Sequence, residues 1–480
     1  MKMYQQYING KLVDGRGKPY EVVNPANGNI VDMVGAADVA QAEEALQAAQ
    51  TAFKTWGKTS LKERLALFAK FKAACEEDRV LLTTLLANEV GKTNSQAAGE
   101  INGFFANLDY YQREVQQLTG EILPDYSNKA GNMYHYIEYR PVGVAVSFLA
   151  WNFPVQNISL KLAPAFLSGC TCVLRPSNKS PLTALHIGKI CERVGIPAGV
   201  VNIISGPASS VGNYLSESTI PRLVSVIGSS EVGLEIIRRS SSSVKHLSME
   251  LGGNAPMIIM PDADLKEAAD FGSSTKMSFS GQTCSNINRF FVHKDVHDKF
   301  VEMILENTKQ YKVGWGENFN EKFGIGPVID IKTRDNLLAM VEDAKSKGAK
   351  VLYGGCIPEG MDTGAYMMPT VIDGATNDMK MVQEEIFGPI ISIQSFDDLD
   401  DALAKANDTN AGLASYVFTH DSRVIYKACE TLEFGEVMVN KPVREKNLPH
   451  VGIKDSGLSC DNGKYALMPY YYMRRFSIRP

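Results

Sequence analysis

The residues best placed to do chemistry are a cysteine, a glutamate and an asparagine. Cys284 stands in Gly281-Gln282-Thr283-Cys284-Ser285, behind a glycine turn and beside small polar residues. A thiol so placed is either an accessible nucleophile or a packed thiol. Glu250 precedes Leu251, Gly252 and Gly253, so its carboxylate sits beside backbone that a ligand can approach closely. Asn152, in Trp151-Asn152-Phe153-Pro154, lies just past the apolar run 142–148. It offers an amide donor at the carboxyl end of a strand, where open α/β sheets bind ligands. A fourth segment, Gly228-Ser229-Ser230-Glu231-Val232-Gly233, follows the apolar run Leu223–Ile227 and opens a helical stretch. Backbone N–H groups at such a helix start can face a phosphate. Its glycine spacing departs from G-x-G-x-x-G, so by itself it also reads as a plain strand-to-helix turn.

These side chains need a scaffold, and the hydrophobic pattern supplies one. Between about 141 and 247, apolar β-branched runs at 142–148, 171–174, 200–204 and Leu223–Ile227 alternate with helical stretches such as Leu182–Val194. That is the βαβ alternation of a parallel sheet. A second α/β stretch follows from about 249 to 460, with strands expected at 257–260, 289–292, 390–395 and Ala414–Phe418. At the start, Asn9-Gly10 is the pair that best tolerates the positive φ angles of a type I′ hairpin. Ala42, Ala45, Leu46, Ala49, Phe53 and Trp56 then repeat at helical spacing, and helical patterns continue to about Gln117. The tyrosine-rich segment 132–140 and the tail 470–479 carry no helical period. They read as strands, either ordinary edge strands or parts of a small sheet that covers its edges against another subunit.

At 480 residues the chain has room for more than one substructure with a full core. No repeat or linker interrupts it, so these should pack tightly. A net charge of -5, from 49 basic and 54 acidic residues, gives no general pull on phosphate backbones. No apolar run approaches the roughly 20 residues that span a bilayer. Nucleic acid and membrane are therefore not expected as partners, and an N-terminus without an apolar export segment places the protein in the cytoplasm. Eight scattered cysteines form neither a disulfide framework nor a zinc pattern, and most are expected as buried thiols. His293 and His297 stand four apart, as metal ligands on a helix do, but Lys294 and Asp295 between them mark a solvated segment, so no metal is expected.

Taken together and in order, the motifs resemble the NAD(P)-dependent aldehyde dehydrogenase superfamily over nearly the whole chain. The matching segments are Trp151-Asn152-Phe153-Pro154, Lys161 in the following helix, Gly228-Ser229 with Glu231 and Gly233, Glu250-Leu251-Gly252-Gly253, Gly281-Gln282-Thr283-Cys284 and Glu384-Glu385-Ile386-Phe387-Gly388-Pro389. The resemblance implies an α/β fold: a Rossmann-type dinucleotide-binding domain (1–118 and 141–248), an α/β catalytic domain (249–461) and a small β oligomerisation element (119–140 and 462–480). A homodimer or homotetramer is implied. So is a mechanism in which the Cys284 thiolate attacks an aldehyde, the Asn152 amide and the Cys284 N–H hold the oxyanion, hydride passes to NAD or NADP, and Glu250 activates the water that hydrolyses the thioester. Lys161 completes the implied catalytic set. The implied cofactor residues are Leu149, Trp151, Arg175, Ser177, Asn178, Gly228, Ser229, Leu251, Gly252, Glu385 and Phe387, with Glu385 on the nicotinamide ribose, Phe387 near the nicotinamide, and Gly228 and Ser229 near the pyrophosphate. Arg175 replaces the usual lysine, and Asn178 stands where many NAD-preferring members carry glutamate. Glutamate would repel a 2′-phosphate, whereas Arg175 or Lys179 can attract one, so both cofactors stay open.

By the same resemblance the substrate pocket takes Phe153, Gln156, Asn157 and Leu160, then Ser278, Ser285 and Asn286, then Arg444, Asn447 and His450. These are polar for a family whose long-chain and aromatic aldehyde oxidisers line the same places with Leu, Met, Trp and Phe. Succinate semialdehyde dehydrogenases resemble the chain but carry arginines at the Leu160 and Ser278 positions. Lactaldehyde and glycolaldehyde dehydrogenases share the histidine at 450 but not Leu160. Arg444, with His450 or Lys446, can bind an anionic group through paired hydrogen bonds, or else is a solvated loop charge. The expected substrate is a short polar or anionic aldehyde of the lactaldehyde, glycolaldehyde or semialdehyde kind, 3-sulfolactaldehyde included. A CoA-acylating enzyme and a non-catalytic member remain alternatives; Glu250 argues against the first, and the intact Asn152, Glu250 and Cys284 against the second.

Overall fold

A computed structural model describes residues 3–126, 133–441 and 443–479. The alternation after residue 141 forms five parallel strands, Val144–Phe148, Thr171–Arg175, Val201–Ile203, Leu223–Ile227 and His246–Glu250. Numbered along the chain, they lie side by side in the order third, second, first, fourth, fifth. Every residue of Val144–Phe148, Thr171–Arg175 and Leu223–Ile227 is buried, as a sheet covered on both faces requires. The order reverses between Val144–Phe148 and Leu223–Ile227, and a ligand crevice opens outside the carboxyl ends at such a switch point. The predicted hairpin, Gln6–Ile8 with Lys11–Val13, extends one edge, with Asn9 and Gly10 both at positive φ (52° and 81°). At the other edge Gly457–Leu458 returns from the far end of the chain and pairs Gly457 with Glu250.

The strand His246–Glu250 was not among those expected. Its polar residues His246, Ser248 and Glu250 hide it from a hydrophobic reading, yet Ser248, Met249 and Glu250 are all buried against Leu223–Ile227.

The second sheet has seven strands in the order Lys350–Tyr353, Thr370–Asp373, Ile390–Phe396, Ile287–His293, Ala255–Ile259, Ala414–Phe418, Glu436–Val439, parallel except for the first pair. Three contain the expected runs and Ala255–Ile259 covers all but the last residue of the run 257–260; Lys350–Tyr353, Thr370–Asp373 and Glu436–Val439 are additional. His293 ends one of these strands and His297 opens the helix His297–Lys309, where it bonds Asp373 at 2.9 Å, so the two rings do not share a helix face.

The two aromatic segments do pair. Tyr134–Pro141 runs antiparallel to Tyr471–Ile478 over its whole length, with Glu121–Leu123 alongside. The expected start of the first at Asn132 lies outside the described residues. Of the cysteines, Cys75, Cys170, Cys172 and Cys191 are buried, but Cys356 and Cys429 are exposed. The first lies in a loop beyond Lys350–Tyr353, and the second on the helix Ser422–Thr431, of which only Ala428 is buried. No helix among the described residues is long and apolar enough to cross a membrane.

Candidate active site

Cys284 is presented by an unusual stretch of backbone. Phe279, Ser280 and Gly281 all take left-handed φ angles of 46°, 53° and 79°. A Cβ on Gly281 would collide with the Gly388 carbonyl, which accounts for that glycine. The two non-glycine residues cost about 1–3 kcal/mol each in this region and need outside support. Phe279 is buried edge-on to Trp151 and Phe153, and Ser280 Oγ donates to the Gly326 carbonyl at 2.6 Å. Gln282, fully buried, accepts from the Ile329 N–H at 2.8 Å, and its carbonyl accepts from Asn152 Nδ2 at 3.2 Å. The Cys284 loop and the Asn152 amide are thus fixed to each other.

Asn152 is fixed from behind as well. Its carbonyl accepts from Lys92 Nζ at 2.7 Å, and the Lys92 ammonium forms a buried ion pair with Glu100 and lies over the Phe153 ring at 3.8 Å. Glu100 accepts from the Val155 and Gln156 N–H groups at 2.9 and 3.1 Å, capping the helix Pro154–Ser168 that follows. One N–H of the Asn152 amide is held by Gln282, leaving the other for a ligand oxygen. Lys92 and Glu100 carry no local sequence signal; only their burial together identifies them.

Glu250, the last residue of its strand, is 6% exposed and faces Cys284 across the same opening. Between them stands His450. Its Nε2 lies 3.6 Å from Cys284 Sγ and 3.2 Å from Glu250 Oε1, and its Nδ1 lies 2.5 Å from Glu436 Oε1. Glu436, at the start of an unexpected strand, is a site residue that sequence reasoning missed. Burial pushes the Cys284 thiol up to about 12; the Glu250 charge adds to this and His450 opposes it. Lys161, expected in the catalytic set, is fully buried and holds Asp461 Oδ1 at 2.5 Å. It lines neither cavity, whereas Asp461 faces the substrate side.

One cavity, of about 640 Å³, lies over the switch point. Of the expected cofactor residues, Leu149, Trp151, Arg175, Ser177, Gly228, Ser229, Gly252, Glu385 and Phe387 line it. Asn178 and Leu251 do not: Asn178 accepts from Arg175 at 3.4 Å, and Leu251 is buried against Gly233. Ser229 caps the helix Ser230–Arg239, whose free N–H groups start at the cavity. A methyl group on Gly228 would meet nothing closer than 3.7 Å, while a Cβ on Gly252 would meet Glu385 Oε2 at 2.8 Å. Glu385 also accepts from the Gly253 N–H at 3.0 Å, and burial raises its carboxyl to about 8. Arg175 donates to the Gly206 carbonyl at 2.8 Å and keeps a buried Nε without a partner. Lys179 is engaged by Asp330 at 2.7 Å. The size, the glycine openings and the helix start fit a dinucleotide.

The other cavity, of about 930 Å³, is lined by Phe153, Gln156, Asn157, Leu160, Ser278, Ser285, Asn286, Arg444 and His450 as expected, but not by Asn447. Lys446, expected beside Arg444, also lines it, and Glu436, Lys441 and Asp461 are added. Arg444 is not a solvated loop charge: its guanidinium turns inward to Ser285 Oγ, the Ser285 carbonyl (3.3 Å) and the Tyr416 hydroxyl (2.6 Å). The two cavities share Asn152, Ile227, Glu250 and Cys284.

The chain is similar along its length to known proteins. The profile of the aldehyde dehydrogenase family matches residues 12–476. A 3,6-anhydro-alpha-L-galactose dehydrogenase of Vibrio sp. (strain EJY3) is 33% identical over 100% of this chain and 99% of its own. The NADP-dependent succinate-semialdehyde dehydrogenase of Escherichia coli (strain K12) is 33% identical over 99% and 97%, and an NADP-dependent D-glyceraldehyde dehydrogenase of Picrophilus torridus is 34% identical over 98% and 94%. Among solved structures, a 3,6-anhydro-L-galactose dehydrogenase superimposes with a TM-score of 0.95 at 34% identity, covering 99% of this chain and 100% of that one.

Proposed function

The chain belongs to the aldehyde dehydrogenase family and is an NAD(P)-dependent oxidoreductase, and from that premise we propose that it oxidises a short polar or anionic aldehyde to its carboxylic acid. The observation that supports this reading is the junction of the two cavities at Asn152, Glu250 and Cys284. A carbonyl carbon that enters from the polar side reaches Cys284 with the free Asn152 N–H beside its oxygen. Bound NAD(P)+ supplies the hydride acceptor. Glu250 then takes a proton from the water that hydrolyses the Cys284 thioester, a step that a CoA-acylating enzyme would leave to a thiol.

The polar lining of the substrate side, with Gln156, Asn157, Asn286, Lys441, Arg444 and Lys446 beside the carboxylates Glu436 and Asp461, supports a polar chain over an aliphatic one, and Arg444 is the group suited to an anionic end. The relatives named for anhydrogalactose, glyceraldehyde and succinate semialdehyde act on aldehydes of that polarity. The same reading gives the five-stranded parallel sheet to the cofactor and the seven-stranded sheet to catalysis. It gives the three-stranded sheet, with Ile122, Tyr134 and Met473 exposed, to self-association as a homodimer or homotetramer.

Initial rates of NAD(P)H formation with both cofactors test the reading, against propanal, benzaldehyde, lactaldehyde, glyceraldehyde, succinate semialdehyde and 3-sulfolactaldehyde. Higher kcat/KM for the polar and anionic members is expected. A preference for propanal or benzaldehyde would overturn the substrate assignment and leave the family membership standing.

A further inference from the structure

Resting on the aldehyde-oxidising reading, the geometry at the cavity junction points to one more catalytic group: we propose that His450, oriented by Glu436, is the base that removes the proton from the Cys284 thiol. The imidazole Nε2 faces Sγ at 3.6 Å, and Glu436 accepts the Nδ1–H at 2.5 Å, which leaves the Nε2 lone pair turned to the sulfur. In the step, the S–H bond breaks with its electron pair left on sulfur, and an N–H bond forms at Nε2. Nothing is oxidised or reduced, and a neutral pair becomes a thiolate–imidazolium pair. The imidazolium then stays beside the thiolate, with Glu250 Oε1 3.2 Å from the same ring nitrogen.

Glu250 is the less suitable first base. Transfer to it would leave a buried thiolate beside a neutral carboxylic acid, with no cation to compensate the new anion. With His450 as the acceptor, the new anion sits against a new cation, held between two carboxylates. The other titratable groups facing the ring are Asp461, neutralised by Lys161, then Cys460, and Tyr416 with Arg444 on its hydroxyl. Burial alone would lower the imidazole, but its contacts with Cys284, Glu250 and Glu436 outweigh this, so the neutral ring is the stronger proton acceptor and the imidazolium formed by the transfer is held in place.

The test is the rate of Cys284 alkylation by iodoacetamide in the full-length enzyme, followed by mass spectrometry between pH 5.5 and 10. No aldehyde is involved, so failure of the substrate reading and failure of this inference are separate results. Wild type is expected to react readily at neutral pH. His450→Phe and His450→Gln should react about tenfold or more slowly at pH 7, with the midpoint displaced to alkaline pH, and Glu436→Gln should fall between. Glu436 bonds the far nitrogen of the ring and touches neither reacting atom, Nε2 or Sγ, so it is a positioning residue; its mark is the displaced pH profile without loss of cofactor binding. Profiles that superimpose for wild type and His450→Gln, with cofactor binding intact in both, would overturn the proposal.

Discussion

The two cavities that meet at Cys284 are built in opposite ways. The cofactor side is made by short strand-to-helix segments, 148–152, 175–177 and 227–232, and much of what it offers is backbone: glycine openings and the N–H groups of one helix start. The substrate side gathers side chains from the helix Pro154–Ser168, the nucleophile loop, the strand Glu436–Val439 and the segment 441–450. Two of its charged groups are engaged there, Arg444 with Ser285 and Tyr416 and His450 with Glu436. A backbone cradle suits a ligand whose phosphates are always the same. A constellation of side chains from distant segments can be altered one residue at a time, and so can be fitted to one aldehyde.

The largest effects belong to the residues that the cavities share. Cys284→Ala should lower turnover on the order of 10⁴-fold or more while cofactor still binds, measured by NAD(P)H formation and by nucleotide fluorescence. Glu250→Gln should lower the steady-state rate about 10²-fold or more but keep a burst of NAD(P)H; an unimpaired steady-state rate would remove Glu250 from deacylation.

A substitution on one side sharpens the contrast. Arg444→Ala should raise KM for anionic aldehydes about tenfold relative to neutral ones, the size of one charge-assisted hydrogen bond, and leave cofactor affinity unchanged. Equal effects on both aldehyde classes would confine Arg444 to holding Ser285 and Tyr416.

The smallest effect lies on the cofactor side. Burial raises Glu385 to about 8, so at pH 7 it is mainly protonated, and a ribose hydroxyl that donates to it favours the ionised form. Cofactor binding below about pH 8 should therefore release a proton, and Kd should fall several-fold as pH rises towards 8. Calorimetry in two buffers of different ionisation enthalpy reads the proton directly. Lys276, which burial lowers to about 7, faces the same carboxylate, and Glu385→Gln separates the two by flattening the profile only if Glu385 is the source.

Where a feature depends on a local pattern, the sequence was enough. The hairpin at Asn9-Gly10, the strands Leu223–Ile227 and Ala414–Phe418 and the helix Leu182–Val194 occur where the pattern put them, because turn chemistry and hydrophobic period act over a few residues. Cys284, Glu250 and Asn152 each lie beside glycine or proline, but no one motif decided between its readings; their order along the chain, and the family it resembles, marked them as candidates. The strand His246–Glu250 was missed because its burial comes from strands on both sides and not from its own composition.

The amino-acid sequence thus determined the α/β alternation and the glycine turns and, through the order of its motifs, the family resemblance that marks Cys284, Glu250 and Asn152 as candidate nucleophile, base and amide donor. Only the tertiary structure decided that Glu436 orients His450 against Cys284, that Lys92 and Glu100 brace Asn152, that Lys161 is tied to Asp461, and that Arg444 turns inward. Each of these joins residues distant in the chain. Charged groups buried together are stabilised by one another, and that dependence leaves no periodic or local trace in either segment alone.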